Sequence, residues 1–193
     1  RDKIKKKITN DYLISKPNLE NLEFASQISK IFKIKEKIFL KAVNTFKGLS
    51  HRHEIFLKKN KIIFINDSKA TSFESTKHAL KNNSNIYWIF GGLPKIKDKF
   101  NFQGVGSNII KTFIIGNKTN YFKNKLTKNI RYKISFNLNN AIKDIFKELI
   151  LVKKNKSTVL LSPASASYDQ FNNFVDRGNQ FKKITKIYAK KFL

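Results

Sequence analysis

Two apolar runs in this sequence end abruptly in polar residues that could bind and orient a small molecule. Residues 62–65 lead into residues 66–71, which supply a carboxylate, hydroxyls and an ammonium group. Residues 158–161 lead into residues 162–171, which are rich in serine and also contain Tyr, Asp and Gln. A buried strand that ends in such residues presents them at the edge of an α/β sheet, where these proteins bind ligands. The two strand ends therefore predict one shared site.

A third segment of this kind, Gly91-Gly92, directly follows the apolar residues 87–90. Paired glycines let a backbone approach a ligand closely, and Lys95 just beyond them could offer a positive charge to a carboxylate or phosphate. The spacing is neither that of a phosphate-binding P-loop nor that of a dinucleotide fingerprint, and both patterns are absent from the sequence. Taken alone, Gly91-Gly92 could equally be an ordinary tight turn.

The elements that must position these residues alternate between helix and strand beyond residue 48. The predicted helices are 18–32 with Asn18 as cap, 35–46, 72–81, 138–152 and 170–190, and the predicted strands are 54–57, 62–65, 86–90, 112–115, 132–136 and 157–161. Residues 94–108 are predicted as a loop, and the pattern leaves 117–130 open. Such alternation indicates a mostly parallel sheet with helices on both faces. The first 46 residues are predicted to be helical throughout, which puts a domain boundary near Gly48.

Composition limits the class of protein. The 193 residues are 40% apolar, enough for one full domain and a fragment of another. Cysteine is absent, which excludes disulfides and thiolate chemistry. No apolar run is long enough to span a bilayer or to form a signal peptide, so we expect a soluble, cytoplasmic protein. The chain opens on Arg1 rather than Met, so we expect it to be the carboxyl-terminal part of something longer.

The net charge of +27 raises the alternative of a basic nucleic-acid-binding module. The 40 basic residues include only four arginines, although proteins that bind phosphates and base edges rely on arginine. The lysines are spread along the chain, which is typical of a solvated surface. Three histidines are too few for a metal site, and we predict that His51 makes a structural hydrogen bond or touches a nucleotide while His53 and His78 lie at the surface.

The order of these motifs along the chain resembles the Mur ligases. The resemblance spans residues 18–181 and rests on residues 48–52, 66–71, Gly91-Gly92 with Lys95, 162–171, and Phe174-x-x-Arg177-Gly178. It implies a Rossmann-like Mur ligase carboxyl-terminal domain at 48–193, preceded at 1–47 by a helical remnant of the central ATP-binding domain. It also implies an ATP-dependent reaction in peptidoglycan biosynthesis that adds D-glutamate to UDP-N-acetylmuramoyl-L-alanine through an acyl phosphate.

The resemblance also implies which residues contact the substrates. Asn18 and Asn21 would lie near the adenine of ATP, Arg52 would bind its phosphates and Asp67 its ribose hydroxyls. The residues implied for D-glutamate are Lys69, Thr71, Lys95 and Ser167, with the backbones of Tyr168 and Phe174 and the amides of a helix starting after Ser167. The P-loop, a modified lysine and the Mg²⁺ ligands are expected upstream of Arg1, so this chain would hold no catalytic residue and would be inactive alone. We expect a monomer that binds small molecules and neither nucleic acid nor membrane.

Overall fold

The computed structural model describes residues 7–10, 13, 16–151 and 156–193, and the chain divides into two compact units at residues 1–48 and 49–193. The first unit contains helices α1 (Lys16–Ile31) and α2 (Glu36–Thr45). Its core is a small cluster of buried side chains, namely Ile8, Leu22 and Val43, with Leu13, Leu19, Phe39 and Leu40 packed against it. The Asn10 side-chain amide donates to the Val43 carbonyl at 2.9 Å and so holds the segment before α1 against α2.

Two predictions for this unit are wrong. Helix α1 begins at Lys16, so Asn18 lies in its first turn and is not its cap. Pro17 is tolerated there because the first turn of a helix does not use its backbone N–H groups. The first 46 residues are also not helical throughout, since residues 8–10 lie outside any helix and a turn separates α1 from α2.

The second unit is an α/β domain. Its strands are β1 (Glu54–Lys59), β2 (Ile62–Asn66), β3 (Ile86–Gly91), β4 (Ile109–Ile115), β5 (Tyr132–Phe136) and β6 (Ser157–Leu161). Its helices are α3 (Phe73–Lys81), α4 (Thr119–Lys125), α5 (Leu138–Leu151) and α6 (Phe174–Phe192), with a 3₁₀ turn at Gly106–Asn108. The strands form one six-stranded sheet in the order β1-β2-β6-β3-β4-β5. Only the edge pair β1–β2 is antiparallel, and the other pairs are parallel.

Helices cover both faces of this sheet, as predicted. One face packs on α5 and α6 around residues such as Phe64, Ile89 and Phe146. The other packs on α3 and α4 around Trp88 and Phe122. Helix α5 shows why: its buried side chains recur at helical spacing, at Leu138, Ala141, Ile142, Ile145, Phe146 and Leu149. Within the described residues, no helix is both long and apolar enough to cross a bilayer.

Strand order fixes where a site can form. The chain leaves β2 toward α3 on one face, and it leaves β6, the neighbour of β2, toward α6 on the other face. Loops that diverge in this way leave a crevice at the carboxyl ends of the strands, where α/β proteins bind ligands.

Some boundaries differ from the predictions. Helix α6 begins at Phe174 rather than near 170, because the Asn173 side chain accepts from the Asp176 amide at 2.9 Å and caps the helix there. Strand β4 begins three residues before the prediction, at Ile109, and the open segment 117–130 contains α4. The predicted end of α5 at Val152 lies outside the described residues.

Candidate functional site

Asp67 directly follows β2 and is almost fully buried at the carboxyl edge of the sheet. Its Oδ2 accepts from the Ser162 hydroxyl at 2.7 Å, and its Oδ1 accepts from the His53 backbone amide at 3.0 Å. Burial raises the pKa of this carboxyl from near 3.8 to about 6, and the two hydrogen bonds and the charge of Arg52 oppose that rise. Each carboxylate oxygen can accept a second hydrogen bond, so Asp67 could still accept one from a hydroxyl.

A hydrogen-bonded group beside Asp67 fixes the end of β2. The Asn66 side-chain amide lies 2.9 Å from His51 Nδ1 and donates to Glu54 Oε2 at 3.0 Å. Burial lowers the pKa of His51, and the charge of Lys182 adds to the effect. Helix α6 passes so close that a Cβ at Gly178 would overlap His51 Nδ1. His51 is therefore buried in a structural hydrogen bond, and glycine is required at 178.

The prediction that His53 lies at the surface is only partly right, since the residue is half-buried. Its Nδ1 is buried and has no hydrogen-bond partner among the described residues. Burial and the neighbouring His78 lower the pKa of His53 to about 4. His53 lies partly inside the fold because its backbone amide donates a hydrogen bond to Asp67, which holds the turn before β1 against the sheet edge. His78 is exposed, as predicted.

The loop after β2 brings Lys69 to the start of α6. Lys69 Nζ lies 4.0 Å from the centre of the Phe174 ring, at a distance suited to a cation–π contact. The Lys69 amide donates to the His51 carbonyl at 3.0 Å, which fixes the backbone at this point. Thr71 follows, half-buried, just before Ser72 caps α3. Two of the residues predicted to bind an amino acid, Lys69 and Phe174, are thus in contact.

The loop after β3 is joined directly to the loop after β6. Leu93 and Ala166 exchange two backbone hydrogen bonds of 2.9 and 3.1 Å. The Ser165 hydroxyl donates to the Gly91 carbonyl at 2.7 Å. Gly92 has a φ of 139°, and a Cβ on it would lie 2.5 Å from the Ala166 carbonyl oxygen, so only glycine fits there. The sequence could not distinguish an ordinary turn from this close approach between two loops.

Strand β4 adds a fourth segment to the same edge. The Asn117 amide donates to Asp169 Oδ2 at 3.1 Å. A Cβ at Gly116 would lie 2.6 Å from that oxygen and 2.8 Å from the Cα of Gly92. The loops after β2, β3, β4 and β6 therefore converge at one end of the sheet.

Arg177 is the residue of this site whose role the sequence analysis missed. It is fully buried on α6, where its Nε donates to Ser68 Oγ at 3.0 Å. Its Nη2 donates to the carbonyls of Ser68 and Ser165 at 2.8 and 3.0 Å. Burial lowers the pKa of Arg177 to about 10, and Asp169 opposes the change, so the side chain is charged at neutral pH. Its position four residues before Phe181, on the buried face of α6, was the available signal.

The other predicted site residues lie in the loops before β1, after β3 and after β6, and on α1. Ser167 is buried directly after Ala166, whereas Tyr168 is exposed. Arg52 and Lys95 are exposed in the loops before β1 and after β3. Asn18 and Asn21 lie on α1 in the first unit. The helix amides predicted just after Ser167 are not there, because residues 168–173 form turns and bends before α6 begins.

The described residues contain no group of three or more His, Asp or Glu side chains that could hold a metal ion. Magnesium, which the resemblance implies, therefore has no fitting set of ligands in the part of the chain that the structure covers.

Several known proteins are similar to this chain in sequence. No protein-family model matches the chain. It is 37% identical over 167 residues to the UDP-N-acetylmuramoylalanine--D-glutamate ligase of Wolbachia sp. subsp. Brugia malayi, 33% over 172 residues to that of Rickettsia conorii and 31% over 169 residues to that of Bradyrhizobium diazoefficiens. The matched segments include 86 to 89% of the chain. The chain belongs to the Mur ligase family. It spans about a third of the length of these relatives, from 33 to 36%.

Solved structures agree with this assignment at the level of the fold. A crystal structure of MurF from Acinetobacter baumannii matches 91% of this Mur ligase chain with a TM-score of 0.67, at 11% identity and over 38% of its own length. A murein peptide ligase from Psychrobacter arcticus matches 93% of it with a TM-score of 0.53, also at 11% identity and over 38% of its own length. Identities this low speak for the fold alone.

Proposed function

We propose that this chain supplies the amino-acid site and part of the ATP site of a ligase that adds D-glutamate to UDP-N-acetylmuramoyl-L-alanine. The name of its relatives supports the reaction. The observation that carries the proposal is the convergence of the loops after β2, β3 and β6, which bear the residues proposed to bind D-glutamate. We propose that the protein is a cytoplasmic monomer acting on small molecules, without a nucleic-acid or membrane partner.

D-Glutamate carries two carboxylates and an amine, and the proposed site suits the carboxylates. Lys69 and Lys95 would pair with them, and Thr71 and Ser167 would donate hydrogen bonds from their hydroxyls. The backbones of Tyr168 and Phe174 complete the proposed set. Because these donors bind the carboxylates, the substrate amine stays free to act as the nucleophile once it has lost its ammonium proton.

The proposed ATP contacts divide between the two units. In the second unit, the exposed Arg52 guanidinium would bind nucleotide phosphates, and Asp67 would accept hydrogen bonds from ribose hydroxyls. In the first unit, Asn18 and Asn21 would contact the adenine, since an amide offers both a donor and an acceptor.

The proposed reaction has two steps. The carboxylate of UDP-N-acetylmuramoyl-L-alanine attacks the γ-phosphorus of ATP, which forms an acyl phosphate and releases ADP. The amine of D-glutamate then attacks the acyl carbon, loses a proton and expels phosphate from the tetrahedral intermediate. This chain would hold the nucleophile in place for the second step, and proximity alone lowers such barriers substantially. No step is assigned to Mg²⁺, because the described residues offer it no site.

We also propose that residues 1–47 are the end of a central ATP-binding domain and that 48–193 are the amino-acid-binding domain. In support, the first unit exposes large apolar side chains, among them Phe24, Ile31 and Phe32 at 73 to 76%. Surfaces of this kind are normally covered by the rest of a domain or by a partner. Accordingly, we expect the isolated chain to bind its substrates weakly and not to catalyse.

A titration of the ¹⁵N-labelled chain with D-glutamate, followed by NMR, tests the proposal. We expect millimolar binding that shifts amide signals in the loops after β2, β3 and β6, with L-glutamate binding more weakly. Lys95→Ala should weaken D-glutamate binding roughly tenfold, the value of a hydrogen bond to a charged group. Lys97→Ala makes the same change of charge at an exposed position in the same loop and should have little effect. Equal losses in the two variants would argue against the site.

The alternative of a nucleic-acid-binding module has its own signature. It predicts tight binding to a labelled duplex that falls steeply between 50 and 200 mM salt, because phosphate contacts release counterions (on the order of 10³-fold or more). A D-glutamate-binding chain should bind the duplex only feebly at either salt concentration. Fluorescence anisotropy at both concentrations separates the two functions.

A further inference from the structure

The Arg177 guanidinium connects loops that are far apart in the sequence. Through its Nε and Nη2 it holds both the hydroxyl and the carbonyl of Ser68, one residue before Lys69. Through Nη2 it also holds the carbonyl of Ser165, two residues before Ser167. One side chain of α6 therefore sets the distance between the loops after β2 and β6.

The third nitrogen of Arg177 points toward the loop after β3. Nη1 is buried and has no hydrogen-bond partner among the described residues. A Cβ on Gly92 would lie 3.4 Å from it. Asp169, the acidic group that acts on Arg177, has a buried and likewise unpartnered Oδ1, and its other oxygen touches the Gly116 turn beside Gly92. The Gly92 backbone thus lies close to the Arg177 guanidinium and to the Gly116 turn that Asp169 touches.

Burying an arginine completely is unfavourable for stability, because its charged group loses its hydration. Helix α6 already packs through Phe181 and Ala189. If position 177 served stability alone, an apolar residue there would stabilise the fold as well as arginine or better. What arginine adds is a planar fork with several donors in fixed directions, which lysine lacks.

We propose that Arg177 is a positioning residue that holds the loops after β2, β3 and β6 in register and so sets the spacing of Lys69, Lys95 and Ser167 around D-glutamate. The inference rests on the proposed function and adds a residue to which that function assigned no role. Arg177 does not touch the substrate, since it is fully buried.

Arg177→Lys tests this inference, because it keeps the charge and loses the fork. Phe181→Leu is the matched control, since Phe181 is equally buried on the same helix and packs in the core between α6 and the sheet, away from the loops. We expect both variants to lower the melting temperature. Only Arg177→Lys should weaken D-glutamate binding, by roughly tenfold, the loss of one or two hydrogen bonds to a charged group. Ser68→Ala, which removes the acceptor of Nε, is a milder second variant and should weaken binding in the same direction.

Amide hydrogen exchange supplies a readout without ligand. In Arg177→Lys the amides of Leu93 and Ala166 should exchange faster relative to that of Ile89 in central β3, whereas Phe181→Leu should change all three together. Unchanged binding and unchanged exchange in Arg177→Lys, or equal effects in Phe181→Leu, would overturn the positioning role. If the wild-type chain fails to bind D-glutamate, the proposed function falls, and the exchange of Leu93 and Ala166 still decides whether Arg177 holds the loops.

Discussion

Replacing Asp67 by asparagine should change how the stability of this chain depends on pH. Asp67 is buried with a pKa of about 6, against an ordinary value near 3.8. An acid whose pKa is raised on folding binds its proton more tightly in the folded state. Its contribution to stability is therefore fully present below pH 3.8 and is lost as the pH rises through about 6.

The size of the effect follows from the pKa. A rise of about two pH units, at about 1.4 kcal/mol for each, corresponds to about 3 kcal/mol between pH 3 and pH 7. Asparagine is nearly isosteric, can accept from the His53 amide and can hydrogen-bond Ser162, but it does not titrate. Relative to wild type, Asp67→Asn should thus gain about 3 kcal/mol in unfolding free energy from pH 3 to pH 7.

The comparison with wild type matters because His53 acts in the opposite direction. Its pKa is lowered to about 4 on folding, so its contribution to stability is lost as the pH falls from about 6.5 toward 4. In the wild-type chain, the contributions of Asp67 and His53 to the pH dependence of the unfolding free energy should largely cancel. In Asp67→Asn only the contribution of His53 should remain, and in His53→Gln only that of Asp67.

Urea unfolding at several pH values measures these slopes. Trp88 is the only tryptophan in the chain and is fully buried, so its fluorescence reports the unfolding of the second unit. Curves of unfolding free energy against pH that run parallel for wild type and Asp67→Asn would refute the assignment of a raised pKa to Asp67. Wild-type and His53→Gln curves that run parallel would do the same for His53.

Two glycine substitutions give further predictions. Gly92→Ala should lower the unfolding free energy by about 3 kcal/mol or more, because its φ of 139° is strained for alanine and its Cβ would lie 2.5 Å from the Ala166 carbonyl oxygen. Gly104→Ala, at a φ of 74° with nothing within 4 Å, should cost only about 1 kcal/mol in the same urea assay, and equal costs would contradict the close approach. Gly178→Ala should displace His51 from its buried hydrogen bond and so move the pKa of His51 upward toward its ordinary value. An NMR titration of the imidazole checks this, and an unchanged pKa would contradict the predicted overlap.

Local patterns were sufficient for most elements of the fold. Apolar runs gave β2, β3 and β6 within one residue, since a strand covered on both faces must be continuously apolar. The predicted helix boundaries are wrong where a cap or a turn sets the start of the helix. Asn173 rather than Gln170 starts α6, and Pro17 is inside α1 rather than before it. For α6 the start depends on which backbone amides find a side-chain partner, and hydrophobic spacing does not encode this.

The order of residues along the chain shows that polar residues follow two buried strands, that Gly91-Gly92 follows a third, and that these motifs resemble the Mur ligases. It could not determine that Gly92 approaches the loop after β6, that the Nδ1 atom of His53 is buried, or that Arg177 connects Ser68 to Ser165. Those facts depend on the strand order, which inserts β6 between β2 and β3 and brings together residues about 100 positions apart. Burial and pKa arise from such long-range contacts, which the order of residues along the chain does not reveal.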